Sequence, residues 1–184
     1  MPRKTTLLAL VGCLVIMVAL GSRSSADPLS LKTRVGNLTF SGPVSAADQK
    51  YLGLAQGGDF TLQDIQAPYI LIEIMRTTCP HCMEQAPAMN RLYRLVANSD
   101  LRGKVRFIGV GESDRAPALQ KFKVAFQVPF PLVPDPDWDI GTLFNIQGTP
   151  TTVLLDKSGR VLLAEDGAFD NAARVFQRLK MRLK

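Results

Sequence analysis

Histidine, cysteine and tryptophan are scarce in this chain of 184 residues, which has one histidine, three cysteines and one tryptophan. A multi-ligand zinc module and a disulfide-rich scaffold are therefore excluded, because both need more of these side chains. Excess positive charge is small as well. Residues 1–26 hold three of the 22 Lys and Arg residues, and the remaining 19 exceed the 16 acidic residues by only three. Such a weak, scattered charge does not indicate a nucleic-acid-binding protein, so no nucleic-acid partner is expected.

The one long apolar run lies near the N-terminus, from Thr5 to Leu20, directly after two basic residues. The small residues of Ser24–Ala26 then provide a cleavage site. This pattern predicts a signal peptide over residues 1–26 and a periplasmic location for the rest of the chain. The run of 16 residues is shorter than the ~20 that a stable membrane span needs. Two alternatives stay open: an uncleaved membrane anchor, and a lipoprotein with Cys13 as lipid acceptor.

The remainder of the chain is typical of one α/β domain, with no internal repeat or low-complexity linker. The nearly continuous apolar run Tyr69–Met75 predicts a strand that is covered on both faces. Apolar periodicity and turn residues predict the elements that follow it, in the order helix, strand, two helices, two strands and helix: Pro80–Ala97, Val105–Val110, Ala116–Phe126, Trp138–Phe144, Thr151–Leu155, Arg160–Ala164 and Phe169–Leu183.

The segment before this core is polar, rich in glycine and interrupted by proline. It predicts only short strands or hairpins, at Leu29–Val35, Leu38–Phe40, Lys50–Leu54 and Phe60–Leu62. The proline-rich segment from Pro129 to Pro136 is expected to be extended. The predicted order of elements gives parallel central strands with an antiparallel hairpin on one side.

The candidate chemistry lies in Cys79-Pro80-His81-Cys82, between a predicted buried strand and the start of a helix. A spacing of three residues puts both thiols on one face of the first helical turn, so they can form a disulfide. Backbone N–H groups at the helix N-terminus favour the thiolate of Cys79, while Cys82 lies one turn deeper. We therefore expect Cys79 to attack a substrate disulfide and Cys82 to resolve the mixed disulfide. Pro80 suits the first helical position, and His81 would further stabilise the thiolate.

Other functions of the cysteine pair fit the sequence less well. A zinc ion would need more Cys or His ligands than the chain offers after residue 26, so no metal is expected. Covalent haem attachment requires a histidine directly after the second cysteine, and Met83 occupies that position, so no cofactor is expected either. A non-catalytic Cu(I)-binding module remains an alternative, although only His81 and Met83 could assist the two sulfur ligands.

At this point the sequence resembles a known family. The stretch from Ile70 to Glu84 resembles the active-site strand, turn and helix of thioredoxin-fold proteins. Gly148–Thr151 resembles their cis-proline loop, and the hairpin turn Asp156–Arg160 follows it as in that family. The segment Phe130–Pro136 is similar to the TlpA/ResA branch, which consists of exported thiol-disulfide oxidoreductases related to the AhpC/TSA group.

The resemblance implies a thioredoxin-like α/β fold, with a central mixed β-sheet flanked by helices and an N-terminal β-hairpin extension. It covers the chain from about Lys50 to the C-terminus. We accordingly divide the chain into a signal peptide (1–26), an N-terminal extension (27–48) and a thioredoxin-like domain (49–184).

The resemblance also implies roles for three further residues. Pro150 would be in the cis form beside the two sulfurs, which leaves the backbone of Thr149 free to pair with an extended substrate segment. Glu73 falls where thioredoxins carry a buried acid. A carboxyl group buried in an apolar strand would have a raised pKa and could take the proton of Cys82 during resolution. The alternative is a structural Glu73 on a half-exposed face of the strand.

Three motifs of related proteins are compared with this sequence, and they match it only in part. Thr78 replaces the tryptophan that thioredoxins carry before the first cysteine, and Pro80-His81 is the dipeptide of DsbA, a strong periplasmic oxidant. The peroxidase motif of peroxiredoxins fails, because Ile72 and Arg76 occupy its proline and threonine positions.

The sequence thus predicts a thiol-disulfide oxidoreductase that reduces protein disulfides, as relatives do in cytochrome c maturation. The alternative is the same chemistry run as a DsbA-like oxidase or isomerase. The expected partners are cysteine-containing exported proteins and a membrane redox donor or acceptor.

Overall fold

The computed structural model describes residues 34–36, 38–42 and 44–183. The predicted signal peptide (1–26), including Cys13, and residues 29–33 of the first predicted strand lie outside the described residues. Arg34, just after them, forms an isolated antiparallel bridge with Arg160. Among the helices of the described residues, none is both long and apolar enough to cross a membrane.

Seven strands and five helices are formed by the described residues. In chain order they are β1 (Thr39–Phe40), α1 (Ala46–Leu52), β2 (Phe60–Thr61), β3 (Tyr69–Met75), α2 (Pro80–Ala97), β4 (Val105–Glu112), α3 (Ala116–Ala125), β5 (Leu132–Asp135), α4 (Asp139–Phe144), β6 (Thr151–Asp156), β7 (Val161–Asp166) and α5 (Ala172–Arg182).

A five-stranded mixed sheet, in the order β5-β4-β3-β6-β7, forms the centre of the fold. Strands β3, β4 and β5 are parallel. Strand β6 runs antiparallel to β3, and β7 runs antiparallel to β6, so β7 has the same direction as β3. Strands β1 and β2 form a separate antiparallel pair. The predicted thioredoxin-like α/β fold with its N-terminal hairpin is therefore confirmed.

Strand β3 is buried on both faces because the sheet is covered on both sides. Alternate side chains point to opposite faces. Ile70, Ile72 and Ile74 contact the core that includes the N-terminal segment and α4, whereas Leu71 and Met75 face the core that includes α2 and α5. Glu73, midway between Leu71 and Met75, therefore belongs to the α2 face of the sheet.

Helix α2 begins and ends at the predicted residues. Its first residue is Pro80, whose missing N–H is not needed there, and Cys79 in extended conformation precedes it as the N-cap. Pro87 lies inside the helix. Because β3 ends directly before this turn, the chain carries Cys79 to the carboxyl end of the central strand, where crevices form in open α/β sheets.

The strand predicted over Lys50–Leu54 is wrong, because these residues complete helix α1 and its C-cap. The Oγ of Ser45 accepts a hydrogen bond from the Asp48 N–H at 3.1 Å, and Gly53 ends the helix in left-handed conformation with φ 73°. This serine N-cap and glycine C-cap are the usual signals of a short helix.

The last helix also begins later than predicted, at Ala172 instead of Phe169. Asn171 caps it through a hydrogen bond from the Arg174 N–H to its side chain. Phe169 is buried before the helix, and its N–H donates to Gln85 of α2 at 2.9 Å. The start was misplaced because Phe169 continues the apolar spacing of the helix without belonging to it.

Candidate active site

The two thiols of the CPHC motif are free and differ strongly in exposure. Cys79 is partly exposed at the N-cap of α2, whereas Cys82 is only 1% exposed and packs among the apolar side chains of the α2 core. The predicted asymmetry between an accessible and a shielded cysteine is therefore present. An external disulfide can reach Cys79 directly, and it can reach Cys82 only through Cys79.

The surroundings of Cys79 favour its thiolate. Partial burial acts to raise the pKa of this thiol, but hydrogen bonds with Thr149 and Cys82 and with the backbone N–H groups of Cys82 and His81 outweigh it. The pKa of Cys79 therefore lies below its usual value, as expected for a cysteine at a helix N-terminus.

Cys82 has the opposite character. Burial, together with its hydrogen bond to Cys79, raises the pKa of the Cys82 thiol to about 12. Near neutral pH this thiol stays protonated, so it can attack a mixed disulfide only if a base removes its proton.

Glu73 carries a buried carboxyl group on the α2 face of the sheet. Gln85, one turn after Cys82 on the same face of the helix, donates from Nε2 to Glu73 Oε1 at 2.8 Å. Burial raises the pKa of Glu73 to about 7, against a lowering effect of the Gln85 hydrogen bond. The half-exposed alternative for Glu73 is thereby excluded, and its carboxyl group can change protonation near neutral pH.

The ring of His81 forms its hydrogen bond with Glu84. The imidazole is 73% exposed, and its Nδ1 lies 3.1 Å from Glu84 Oε2, one turn along α2. The contribution of His81 to the Cys79 thiolate comes from its backbone N–H. Pro80, beside it, is exposed at the first position of the helix.

The loop before β6 closes the site from the other side. The Thr149–Pro150 peptide bond is cis, as predicted from the resemblance. Cys79 Sγ donates a hydrogen bond to the carbonyl oxygen of Thr149 at 3.3 Å. The structure thus brings Cys79, Cys82, Glu73, Thr149 and Pro150 to the same end of the sheet.

One residue of the site was missed by the sequence analysis. Asp114, just after β4, accepts hydrogen bonds from the Thr77 N–H at 2.7 Å and from Thr77 Oγ1 at 2.5 Å. It thereby fixes the turn that leads to Cys79. The position of Asp114 was the available signal, because the carboxyl ends of neighbouring parallel strands meet at one edge of the sheet.

The arrangement can exchange a disulfide with another molecule without a cofactor. Two thiols of unequal acidity, a buried titratable carboxyl group and an accessible backbone loop are the groups that this reaction uses. Within the described part of the chain, no three His, Cys, Asp or Glu side chains are placed to hold a metal ion.

Comparison with known proteins agrees with this chemistry. The sequence profile of the AhpC/TSA family matches residues 43–164. The thiol-disulfide oxidoreductase ResA of Geobacillus kaustophilus is 27% identical over 148 residues, which cover 80% of this chain and 79% of ResA.

Two solved structures show the same fold. One, from Chlorobium tepidum and described as a thiol:disulfide interchange protein DsbE, has a TM-score of 0.66 at 18% identity and covers 85% of this chain and 99% of its own. The other is a secreted disulfide oxidoreductase of Mycobacterium tuberculosis, with a TM-score of 0.56 at 17% identity, covering 82% and 96%. Because the family profile matches more than half of the sequence, the chain belongs to the AhpC/TSA family, as a thioredoxin-like protein of the TlpA/ResA type.

Proposed function

We propose that this thiol-disulfide oxidoreductase is a reductase that acts on disulfides of exported proteins through Cys79 and Cys82. The observation that carries the proposal is the contrast between the two thiols. Cys79 is accessible and has a lowered pKa, whereas Cys82 is buried with a pKa of about 12. Glu73, whose pKa is about 7, bonds to Gln85 one turn after Cys82. An accessible nucleophile backed by a shielded resolving thiol is suited to attack on a large disulfide substrate.

The reaction has two exchange steps. The Cys79 thiolate attacks one sulfur of the substrate disulfide, that S–S bond breaks, and the other substrate sulfur leaves as a thiolate. Cys82 then loses its proton to Glu73 and attacks Cys79 Sγ in the mixed disulfide. The second substrate thiolate leaves, and Cys79 and Cys82 are left joined by a disulfide. Two electrons have passed to the substrate, so a membrane redox donor must return the pair to the dithiol.

The orientation of His81 supports a reductase over a DsbA-like oxidase or isomerase. A positive imidazole close to the Cys79 sulfur would stabilise the thiolate and so make the disulfide more oxidising. Here the ring of His81 is exposed and directed to Glu84. The chain therefore shares the dipeptide Pro80-His81 with DsbA, but its His81 ring contacts Glu84, and this contact does not stabilise the Cys79 thiolate.

The proposed site of action is the periplasm. The predicted signal peptide over residues 1–26 supports export, and one protein of the same fold is described as secreted. Among exported substrates, the resemblance to the TlpA/ResA branch favours the cysteines of apocytochrome c. An uncleaved N-terminal anchor or lipidation of Cys13 would hold the same site at the membrane surface.

Trapping the mixed disulfide tests this proposal. The Cys82→Ser variant keeps the nucleophile but cannot resolve, so it should accumulate disulfide-linked adducts with exported proteins that disappear on reduction. The Cys79→Ser variant is the matched control and should form none. The assigned roles of the two cysteines would be wrong if neither variant formed adducts, or if both variants formed them to the same extent. Copper binding by Cys79→Ser without any adduct from Cys82→Ser would favour the Cu(I)-binding alternative.

A further inference from the structure

A small pocket beside Cys79 has no part in the exchange steps. It has a volume of about 240 Å³ and is lined by Arg76, Glu112, Trp138 and the loop Gln147–Thr149, among others. The loop also touches the nucleophile, because the Thr149 carbonyl oxygen accepts the hydrogen bond from Cys79 Sγ at 3.3 Å. A residue next to a cysteine bound at Cys79 can therefore reach the pocket, since neighbouring residues of an extended chain are about 3.5 Å apart.

The topology brings the charged pair of this pocket together. Arg76 directly follows β3 and Glu112 ends β4, and these strands are parallel with Met75 opposite Gly111. The two side chains thus leave neighbouring strands at the same level, with Arg76 NH2 4.0 Å from Glu112 Oε2. That distance is the outer limit of an ion pair, so the guanidinium keeps much of its hydrogen-bonding capacity.

Both partners carry unused polar atoms. Glu112 is only 1% exposed, and its Oε1 accepts no hydrogen bond, while the buried Nε of Arg76 donates none within the described residues. Unsatisfied buried polar atoms are uncommon and call for a partner. Arg76 is 33% exposed, so it lies toward the opening of the pocket with the carboxyl group of Glu112 behind it.

The ring of Trp138 holds the guanidinium in place. The Arg76 Cζ lies 4.3 Å from the ring centroid, which is stacking distance for a cation on an indole. Trp138 Nε1 donates a hydrogen bond to Ser113 Oγ and so anchors the ring to the turn after β4. An arginine fixed in this way presents a preformed fork of N–H donors, which suits a carboxylate.

We propose that this pocket binds the carboxylate side chain of a residue adjacent to the substrate cysteine, with Arg76 as the residue that determines the preference. The inference rests on the proposed reductase function. A Glu or Asp side chain would meet the fork of Arg76 at the opening of the pocket. A Lys or Arg side chain would meet the same positive charge first and be disfavoured.

Glu112 makes the preference depend on pH. Burial, opposed by Arg76 and assisted by Asp135, raises the pKa of Glu112 to about 7. Arg76 at the end of β3 and Asp135 at the end of β5 are the charged groups that act on it, and α4 faces it with the uncharged Gly141. Below pH 7 Glu112 is neutral and Arg76 is uncompensated. Above pH 7 the carboxylate of Glu112 competes for the guanidinium.

The test measures relative rates with the reduced full-length protein. Its substrates are disulfide-linked homodimers of a short peptide with one cysteine and a neighbouring Glu, Gln or Lys, placed before the cysteine in one series and after it in a second. The rate ratio of the Glu to the Gln peptide cancels the titration of Cys79. At pH 6 we expect a ratio of about five in at least one series, with Lys slower than Gln, and a fall toward about two at pH 8.

Three variants separate the pocket from general charge effects. Arg76→Gln should bring the ratio to about one at both pH values, and Glu112→Gln should keep the pH 6 ratio at pH 8. Arg102→Gln, the matched control, removes the same charge at an exposed position before β4, at the opposite end of that strand from Glu112, and should retain the wild-type ratios. Ratios near one in both series, or an equal effect of Arg76→Gln and Arg102→Gln, would overturn the inference. If no peptide were reduced at all, the proposed reductase function itself would fail.

Discussion

At the scale of single residues, the proposed mechanism depends on one carboxyl group, that of Glu73. Cys82 cannot act as a thiol, and its pKa of about 12 leaves almost no thiolate near neutral pH. Glu73, with a pKa of about 7, is ionised above that pH and can accept the proton. We propose that Glu73 takes the proton of Cys82 as this thiol attacks the mixed disulfide.

The Glu73→Gln variant tests this proposal. The amide keeps the shape of the side chain and can still accept the hydrogen bond from Gln85, but it cannot take a proton. We expect resolution of the mixed disulfide to slow by roughly a hundredfold at pH 8 relative to the first step. In the wild-type protein the resolution rate should rise as the pH increases through 7, and in the variant that rise should be absent. Rapid quenching with mass spectrometry of the mixed disulfide measures both steps, and an unchanged profile would remove Glu73 from the mechanism.

Sequence reasoning went furthest for residues whose roles follow from backbone position. The unequal exposure of Cys79 and Cys82 follows from their positions at the start of helix α2. The helix start and the unequal exposure were both predicted correctly. The orientation of His81 depends on a side-chain contact with Glu84, which no backbone pattern specifies. Glu112 and Trp138 were missed as pocket residues because they come from different elements that meet only in the folded chain.

At the scale of elements, the turn between β3 and α2 is the part that positions the nucleophile. It is held by Asp114, whose carboxyl group accepts two hydrogen bonds from Thr77 and is itself buried. Loss of this acceptor leaves the partly buried Thr77 donors without a partner, which costs about 1–3 kcal/mol.

Asp114→Ala should therefore destabilise the protein by about 1–3 kcal/mol in the free energy of unfolding. The methyl side chain offers no acceptor, so both Thr77 donors lose the partner that the carboxylate provides. Urea unfolding of the reduced protein measures the change. Asp137→Ala, at an exposed position, is the control and should alter stability by less than about 0.5 kcal/mol. Equal effects of the two substitutions would show that the Thr77 contacts do not hold the turn.

Elements with a strong apolar pattern could be predicted from the sequence, and short capped elements could not. Strand β3 and helix α2 were predicted with the observed bounds, because one is an unbroken apolar run and the other has apolar residues at helical spacing. Helix α1 buries only Leu52, so its pattern was too weak to indicate a helix, and its caps at Ser45 and Gly53 were the signals left unused.

At the scale of the whole molecule, the buried acid links folding stability to pH. The pKa of Glu73 is about 7 in the folded protein and 4.5 without the fold, so the folded state holds its proton more tightly. Below pH 4.5 the group is protonated in both states and burial has no ionic cost. As the pH rises from 4.5 through 7, stability is lost, by roughly 3 kcal/mol for a difference of this size.

This linkage predicts a stability difference between the wild-type protein and Glu73→Gln that changes with pH. Unfolding free energies of the two reduced proteins, measured by urea at pH 4.5 and at pH 8, should shift by roughly 3 kcal/mol in favour of the variant at the higher pH. Parallel pH curves for the two proteins would mean that Glu73 has an ordinary pKa in the folded state.

The order of strands and helices in the whole molecule was predictable because the motif, the cis-proline loop and the hairpin together resemble one fold. The elements of the N-terminal segment were harder to predict, because strands β1 and β2 have only two residues each. Their buried residues Phe40 and Phe60 pack in the core that lies on this face of the sheet.

The reduction potential of the Cys79–Cys82 pair is the measurement that tests the central claim most directly. Equilibration of the protein with glutathione buffers, followed by quantification of the dithiol and disulfide forms, gives its value. A reductase in which the exposed His81 ring contacts Glu84 predicts a potential near that of thioredoxin, about −270 mV. A potential near that of DsbA, about −120 mV, would contradict the reductase proposal and favour an oxidase. A pair that did not equilibrate with glutathione at all would contradict the redox function itself.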